Sequence, residues 1–173
     1  MSMTPIHEIL RDVVARTAEA YGARVSYLYG DWPYIADTLT RWNADASAAL
    51  QKYPIVCLYS PYEERRQLVG GRMQSEATLE LLLLVNTEKN YLNEDRDALS
   101  FAQVLRPIYW CFMWQIMKDT RIVKNYTGIP AHTYTENYRY GRLGVRAADD
   151  RPFADFIDAI EIKNLVLTFK ETC

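Results

Sequence analysis

Apolar residues early in the chain fall at Ile6, Ile9, Leu10, Val13, Val14 and Tyr21, the spacing of a helix that lies with one face on a core. Thr4 as N-cap and Pro5 at the first helical position predict its start, since proline's missing N–H is not needed there. Gly22 is a natural C-terminal cap. Residues 25–29, Val-Ser-Tyr-Leu-Tyr, read as a short strand ending at Gly30, and Asp31-Trp32-Pro33 opens a second helix carrying Ile35, Leu39 and Trp42. That helix is expected to fray over residues 47–52. Residues 53–59 are β-rich, which predicts a strand with Pro54 at its start.

The middle of the chain alternates between polar and apolar blocks. Residues 61–72, with Glu63, Glu64, Arg65, Arg66, Gly70-Gly71 and Arg72, predict a long polar hairpin loop. It leads into the apolar strand Leu79-Glu80-Leu81-Leu82-Leu83-Leu84-Val85, which stops at an exposed polar loop over residues 86–96. Asn93 is placed to cap the next helix, with Glu94 and Asp95 favourable at the positive end of its dipole. Ala98, Phe101, Ala102, Leu105, Ile108, Tyr109, Phe112 and Ile116 keep the helical period through Pro107, so the expectation is a kinked helix and not a broken one.

Residues 120–152 are the least regular, with Tyr126, Tyr134, Tyr138 and Tyr140 interspersed with Arg139, Arg142, Arg146 and Arg151, and they predict an irregular arm or extended hairpin. The last strand covers residues 157–169. Ile160 and Ile162 occupy one phase of its two-residue alternation, and Leu165, Leu167 and Phe169 occupy the other. A bulge near Lys163-Asn164 or burial on both faces must reconcile them. No repeat or low-complexity tract breaks up the chain. The expectation is a single α+β domain over residues 1–173, a mostly antiparallel sheet with helices packed on it, plus the hairpin and the arm.

Composition narrows the possible functions. Twenty basic residues against 22 acidic ones leave a formal net charge of −2, which provides no general field for a phosphate backbone. The first residues lack the basic region and apolar run of a secretory signal, and no apolar stretch approaches the roughly 20 residues that span a bilayer. Three widely spaced cysteines, Cys57, Cys111 and Cys173, fit neither a zinc site nor a disulfide framework, and reduced thiols are expected.

Candidate chemistry is sparse. His7 reads as a surface histidine and His132 as a packing residue among tyrosines. Nothing favours a Cys57 or Cys111 nucleophile activated by His132. Glu161-Ile162-Lys163 looks like the E-x-K of a metal-dependent nuclease, with the further acid to come from Asp31, Asp155 or Asp158. The commoner meaning of that spacing is a salt bridge on one face of a strand. Gly70-Gly71 lacks the remainder of any nucleotide-binding motif and reads as a turn. The Tyr and Arg of the arm suit a protein interface better than a nucleic-acid strand, because Asp149 and Asp150 interrupt the basic run.

Four sets of landmarks occur in order: Tyr29-Gly30-Asp31-Trp32; the strand from Tyr53 to Leu58; Asn86-Thr87 with Asn90 through Arg96 and Leu105-Arg106-Pro107-Ile108-Tyr109; and Ile157 through Leu165. Together they resemble the tail-terminator, or tail-completion, neck proteins of tailed phages and prophages, across about the whole chain. The resemblance implies a small α+β subunit that forms a homo-oligomeric ring, commonly a hexamer, at the head-proximal end of the tail. Such a ring stops tube growth and joins the tube to the neck or connector protein. It implies no enzymatic activity, cofactor or membrane contact, DNA at most passing through the ring, and synthesis in the host bacterial cytoplasm. A head-to-tail ring needs two different complementary patches per subunit. The candidates are Glu63, Glu64, Arg65, Arg66 and Arg72 of the hairpin, and Tyr126, Tyr134, Tyr138, Arg139, Tyr140, Arg142 and Arg146 of the arm. The alternatives are a nuclease using Glu161 and Lys163, or a monomeric protein-binding adaptor.

The core assignment yields a direct test. Leu83→Asp places an unpaired charge inside the central strand, at a cost of several kcal/mol against a typical stability of about 5 to 15 kcal/mol. The variant is expected to fail to fold, and soluble expression with an unchanged melting temperature would contradict the assignment.

Overall fold

The computed structural model describes residues 4–124, 128–141 and 155–170. In chain order its elements are α1 (Ile6–Tyr21), β1 (Ser26–Gly30), α2 (Trp32–Trp42), α3 (Ala46–Gln51), β2 (Ile55–Tyr59), β3 (Glu63–Val69), β4 (Arg72–Asn86), α4 (Asn93–Asp95), a π-helical segment (Arg96–Leu105), α5 (Arg106–Lys118), β5 (Thr133–Asn137) and β6 (Ile157–Lys170). The fold is α+β with one mixed, mostly antiparallel sheet, as its pattern predicts. The strand order is β1-β2-β4-β6-β5, with β3 also paired to β4; only β1 and β2 run parallel.

The N-cap of α1 is not Thr4, as expected, but the next residue. Pro5 is itself the N-cap of α1: its backbone is extended, and its carbonyl accepts the N–H groups of Glu8 and Ile9. Gly22 ends the helix in the left-handed conformation at φ 80°, its N–H donating to Ala18. Asp31 accepts from the N–H of Tyr34 at 2.9 Å and fixes the start of α2. Residues 46–51 are not frayed but form the separate helix α3, because Asp45 caps it by accepting from Ser47 and Ala48.

The unbroken apolar run of β4 follows from burial on both faces of the sheet. Leu79, Leu81, Leu83 and Val85 face α1, the π-helical segment and α5, while Leu82 and Leu84 face α2 through Trp32, Ile35 and Leu39. The phase conflict in β6 resolves as a bulge. Leu79 pairs with Leu165 but Leu81 pairs with Ile162, so Lys163 and Asn164 together take up one extra position, with Asn164 at φ 56°. Ile160, Ile162, Leu165, Leu167 and Phe169 thereby enter the same core.

Three further expectations need correction, on the hairpin, the arm and Asn93. Residues 61–72 are not a long loop: β3 pairs with β4 through seven residues, and only Gly70 and Gly71, at φ 59° and 77°, make the turn. The arm contributes a regular edge strand, β5, paired to β6 from Thr133 to Asn137. Asn93 is not the cap of the helix it begins. Leu92 precedes it, its N–H donating to the Asp95 carboxylate at 3.0 Å.

The helix does run through Pro107, with the ten residues before α5 wound as a π-helix; the Arg106 N–H donates to Phe101, five residues back. In an α-helix a residue at 107 donates to Gln103, which proline cannot do. The Tyr21 hydroxyl donates to that carbonyl instead, at 3.2 Å.

Arg96, assigned by its polar neighbours to an exposed loop, is fully buried and meets the equally buried Asp158 at 2.7 Å. Its remaining donors reach Thr87 and the carbonyls of Glu88 and Tyr91, and Asp158 also accepts the N–H of Arg139. One ion pair therefore ties together the β4–α4 connection, the π-helical segment, the start of β6 and the turn after β5. Among the described residues no helix is long and apolar enough to cross a membrane.

Removing one member of such a pair strands the other charge without water. Arg96→Met is expected to lower unfolding free energy by about 3 to 5 kcal/mol, and adding Asp158→Asn to recover part of that loss. Urea titration of the three proteins checks both, and a loss below about 1 kcal/mol for Arg96→Met would contradict the account.

Candidate subunit-contact surfaces

Two surfaces stand out once the core is filled. The first is the β3–β4 hairpin, where Leu68 and Val69 next to the glycine turn are 68% and 45% exposed. Glu63, Arg65, Arg66 and Arg72 are exposed around them, whereas Glu64 is half-buried and accepts hydrogen bonds from Ser75 and Arg66. Burial works against ionising Glu64, but the bonds from Ser75 and Arg66 outweigh it and hold the carboxyl below the usual range. Glu64 therefore braces the hairpin, while the three arginines lie at its surface.

The second surface lies on α5. Phe101, Leu105, Ile108, Phe112, Met113 and Ile116 use up the face turned to the sheet, which leaves Trp110 and Trp114 pointing outward, one helical turn apart, at 58% and 54% exposure. Lys118 lies over the Trp114 ring at 5.3 Å. Tyr109 supports Trp110 edge-on and packs against the exposed Tyr134 at 4.8 Å. His132 holds Tyr109 in place: its Nδ1 donates to the Pro130 carbonyl and its Nε2 accepts the Tyr109 hydroxyl at 2.8 Å. Beside this stripe Arg106 binds Glu136 through two hydrogen bonds and Asp97 through a third, and these bonds from Arg106 hold the Glu136 carboxyl below its usual range.

Sequence reasoning missed the tryptophan pair because it followed only the buried stripe. The signal was present: positions 110 and 114 fall between the core positions of that stripe and share the opposite face.

The arm residues divide. Tyr134 is exposed on β5, Tyr138 packs edge-on against Phe101 at 5.1 Å, and Arg139 is exposed at φ 54°. Tyr140 is not a contact residue but a core one, 5% exposed; it packs against Trp32, and its hydroxyl donates to Glu161. Tyr126, Arg142 and Arg146 lie outside the described residues.

The groups considered for catalysis are occupied in holding the fold. Glu161 accepts from Asn137 and Tyr140 and pairs with Lys163 at 3.3 Å. Of the acids considered as its partners, Asp31 caps α2 and Asp158 binds Arg96. Asp155 is held by Lys52, Tyr53 and Asn43. Among the described residues no three His, Cys, Asp or Glu side chains gather to hold a metal ion. Burial pushes the Cys57 thiol well above its ordinary range, and His7 stacks on Tyr29 at 4.4 Å.

Next to the tryptophan stripe, a cleft of about 470 Å³ is lined by Gln115, Lys118 and a charge network. In that network Arg16 and Arg121 both bind Asp119, and Arg121 also reaches Asp12. It clamps α1 to the end of α5.

No protein-family model matches this chain, and no curated protein matches it.

Burial alone would raise Asp119, but hydrogen bonds from Arg121 and Arg16 outweigh it and hold the carboxyl at about 2. Because the folded value is depressed, the stabilisation is present above about pH 4 and is lost as pH falls towards 2, a contribution on the order of 2 kcal/mol. Asp119→Asn is expected to destabilise the protein at pH 7 and to flatten the stability–pH curve between about pH 4 and 2. Thermal melts across that range check it, and parallel curves for the two proteins would contradict it.

Proposed function

We propose that this chain is a structural, ring-forming subunit of a tailed-phage neck, of the tail-terminator type, with no enzymatic activity. The reading rests on the order of landmarks along the sequence. It draws its physical support from one observation: among the described residues apolar side chains at the hairpin turn and along α5 stay exposed, whereas of the buried side-chain polar atoms only the Tyr27 hydroxyl and Asp158 Oδ2 lack a hydrogen-bond partner. Aromatic residues with arginine beside them are the composition of interface cores. The partners in this reading are further copies in a ring, commonly six, together with the tail tube protein and the neck or connector protein. DNA at most passes through the ring. The protein resides in the virion at the tail–neck junction after synthesis in the host bacterial cytoplasm.

The alternative is a monomeric adaptor that binds another protein through the arm over residues 120–152 without forming a ring. The nuclease reading draws no support, since Glu161 and the three acids considered with it all serve structural bonds.

The biological test is to assemble particles without this chain and measure their tails by electron microscopy. Tube length is expected to become unregulated, with tails failing to join heads. Tails of normal length attached to heads would contradict the proposal.

A further inference from the structure

Gln115 stands on the inward stripe of α5 that Ile108 and Phe112 begin, and it is only 8% exposed. Its backbone carbonyl accepts the Asp119 N–H, but among the described residues its side-chain amide has no hydrogen-bond partner. Nor is that amide sealed from solvent: the buried side-chain atoms that are both sealed and unpartnered are the Tyr27 hydroxyl and Asp158 Oδ2. The opening that Gln115 lines is the cleft of about 470 Å³ between α1 and the end of α5. Burying an amide without a partner is unfavourable, and a leucine at this position would continue the apolar stripe without that cost.

We propose that this cleft is a binding site for a small organic anion, a carboxylate or a phosphate ester, with the Gln115 amide as its buried contact. The lining fixes the sign of the ligand. Three cations, Arg16, Lys118 and Arg121, stand against two carboxylates, Asp12 and Asp119, which leaves a net charge of +1.

The hydrogen-bonding capacity points the same way. Both Asp119 oxygens are taken up by Arg16 and Arg121. Arg16 uses only Nη2 for that bond, so its Nε and Nη1 donors remain, and among the described residues Lys118 has no ion pair. The one carboxylate oxygen left over is on Asp12, whose side chain is 55% exposed. Spare donors outnumber the spare acceptor, which suits an anion and repels a metal ion or an amine. The pairs with Asp119 also hold the two guanidinium groups in place beforehand, so a ligand has little left to order. The volume lies in the range of small-molecule sites, about 300 to 1,000 Å³, larger than a lone inorganic ion fills.

Isothermal titration of the full chain at fixed ionic strength tests the site, with citrate, glucose 6-phosphate and inorganic phosphate as probes and choline chloride as a cationic control. At least one organic anion is expected to bind with Kd below about 1 mM, and choline not at all. Binding of citrate alone assigns a carboxylate ligand, and binding of glucose 6-phosphate alone a phosphate ester. Gln115→Leu is expected to weaken binding by about tenfold or more while its melting temperature equals or exceeds the parent's, which a structural role for the amide would not allow. Lys118→Ala, on an exposed side chain, is expected to weaken binding by about threefold with the melting temperature unchanged.

No organic anion binding tighter than about 10 mM would overturn the proposal. So would affinity unchanged in either variant, which would mark adventitious attraction to surface charge. A Gln115→Leu protein that melts well below the parent, or fails to fold, would assign the amide to the fold and overturn the proposal as well.

Discussion

The antiparallel ladder between β4 and β6, with its single bulge, is the constraint on which the rest of the structure depends. Twelve residue pairs hold the strands together, and the extra residue at Lys163-Asn164 changes the phase of β6 midway. Without that step Leu165, Leu167 and Phe169 would face away from the helices that now cover them. Exposing three such side chains costs about 5 to 9 kcal/mol, comparable to the whole stability of a typical domain. The ladder also decides what lies at each end. Asp158 at its start meets Arg96 below the helix, and Gln74 near the hairpin turn meets Lys170. The hairpin is thus an extension of the central strand and inherits its rigidity.

A second regularity concerns polar groups. Arg96, Lys52, Asp119, Glu161 and Asp155 each look like reactive groups in a list, yet each is bonded to neighbours that join separate segments. A titratable group fully occupied in this way is poorly placed to transfer a proton or hold a metal. What the surface offers in its place is shape and apolar area. The same economy explains the aromatic cluster around Tyr109: His132, Tyr134 and the Arg106 network fix the rings next to Trp110 within the chain. A surface held in place by its own chain loses less freedom on any binding.

Helices α1, α2 and α5, the caps Asp31 and Gly22, and the central strand were legible in the sequence because each is set by local signals, whereas α3 and the cap of α4 were not. The hairpin was misread because β3 owes its form to pairing with β4, not to its own polar composition; charged residues on an edge strand resemble a loop. Arg96 was misread for a related reason. Its neighbours Glu94 and Asp95 are polar and exposed, and only the distant Asp158 makes its burial tolerable. Of the candidate contact residues, the arginines of the hairpin and Tyr134 stand at the surface as expected, whereas Tyr140 fills a core position. The tryptophans were overlooked since apolar residues in a core helix invite the assumption that all of them point inward.

The account treats the hairpin turn and the α5 stripe as surfaces made to be covered by another copy. Hydroxyl-radical footprinting of the protein, dilute and concentrated, reads that burial directly at single residues. The account predicts that Trp110, Trp114, Leu68 and Val69 lose reactivity together as concentration rises, while exposed residues elsewhere, such as Leu50, do not change. Unchanged reactivity at all four across a range in which the protein associates would contradict it.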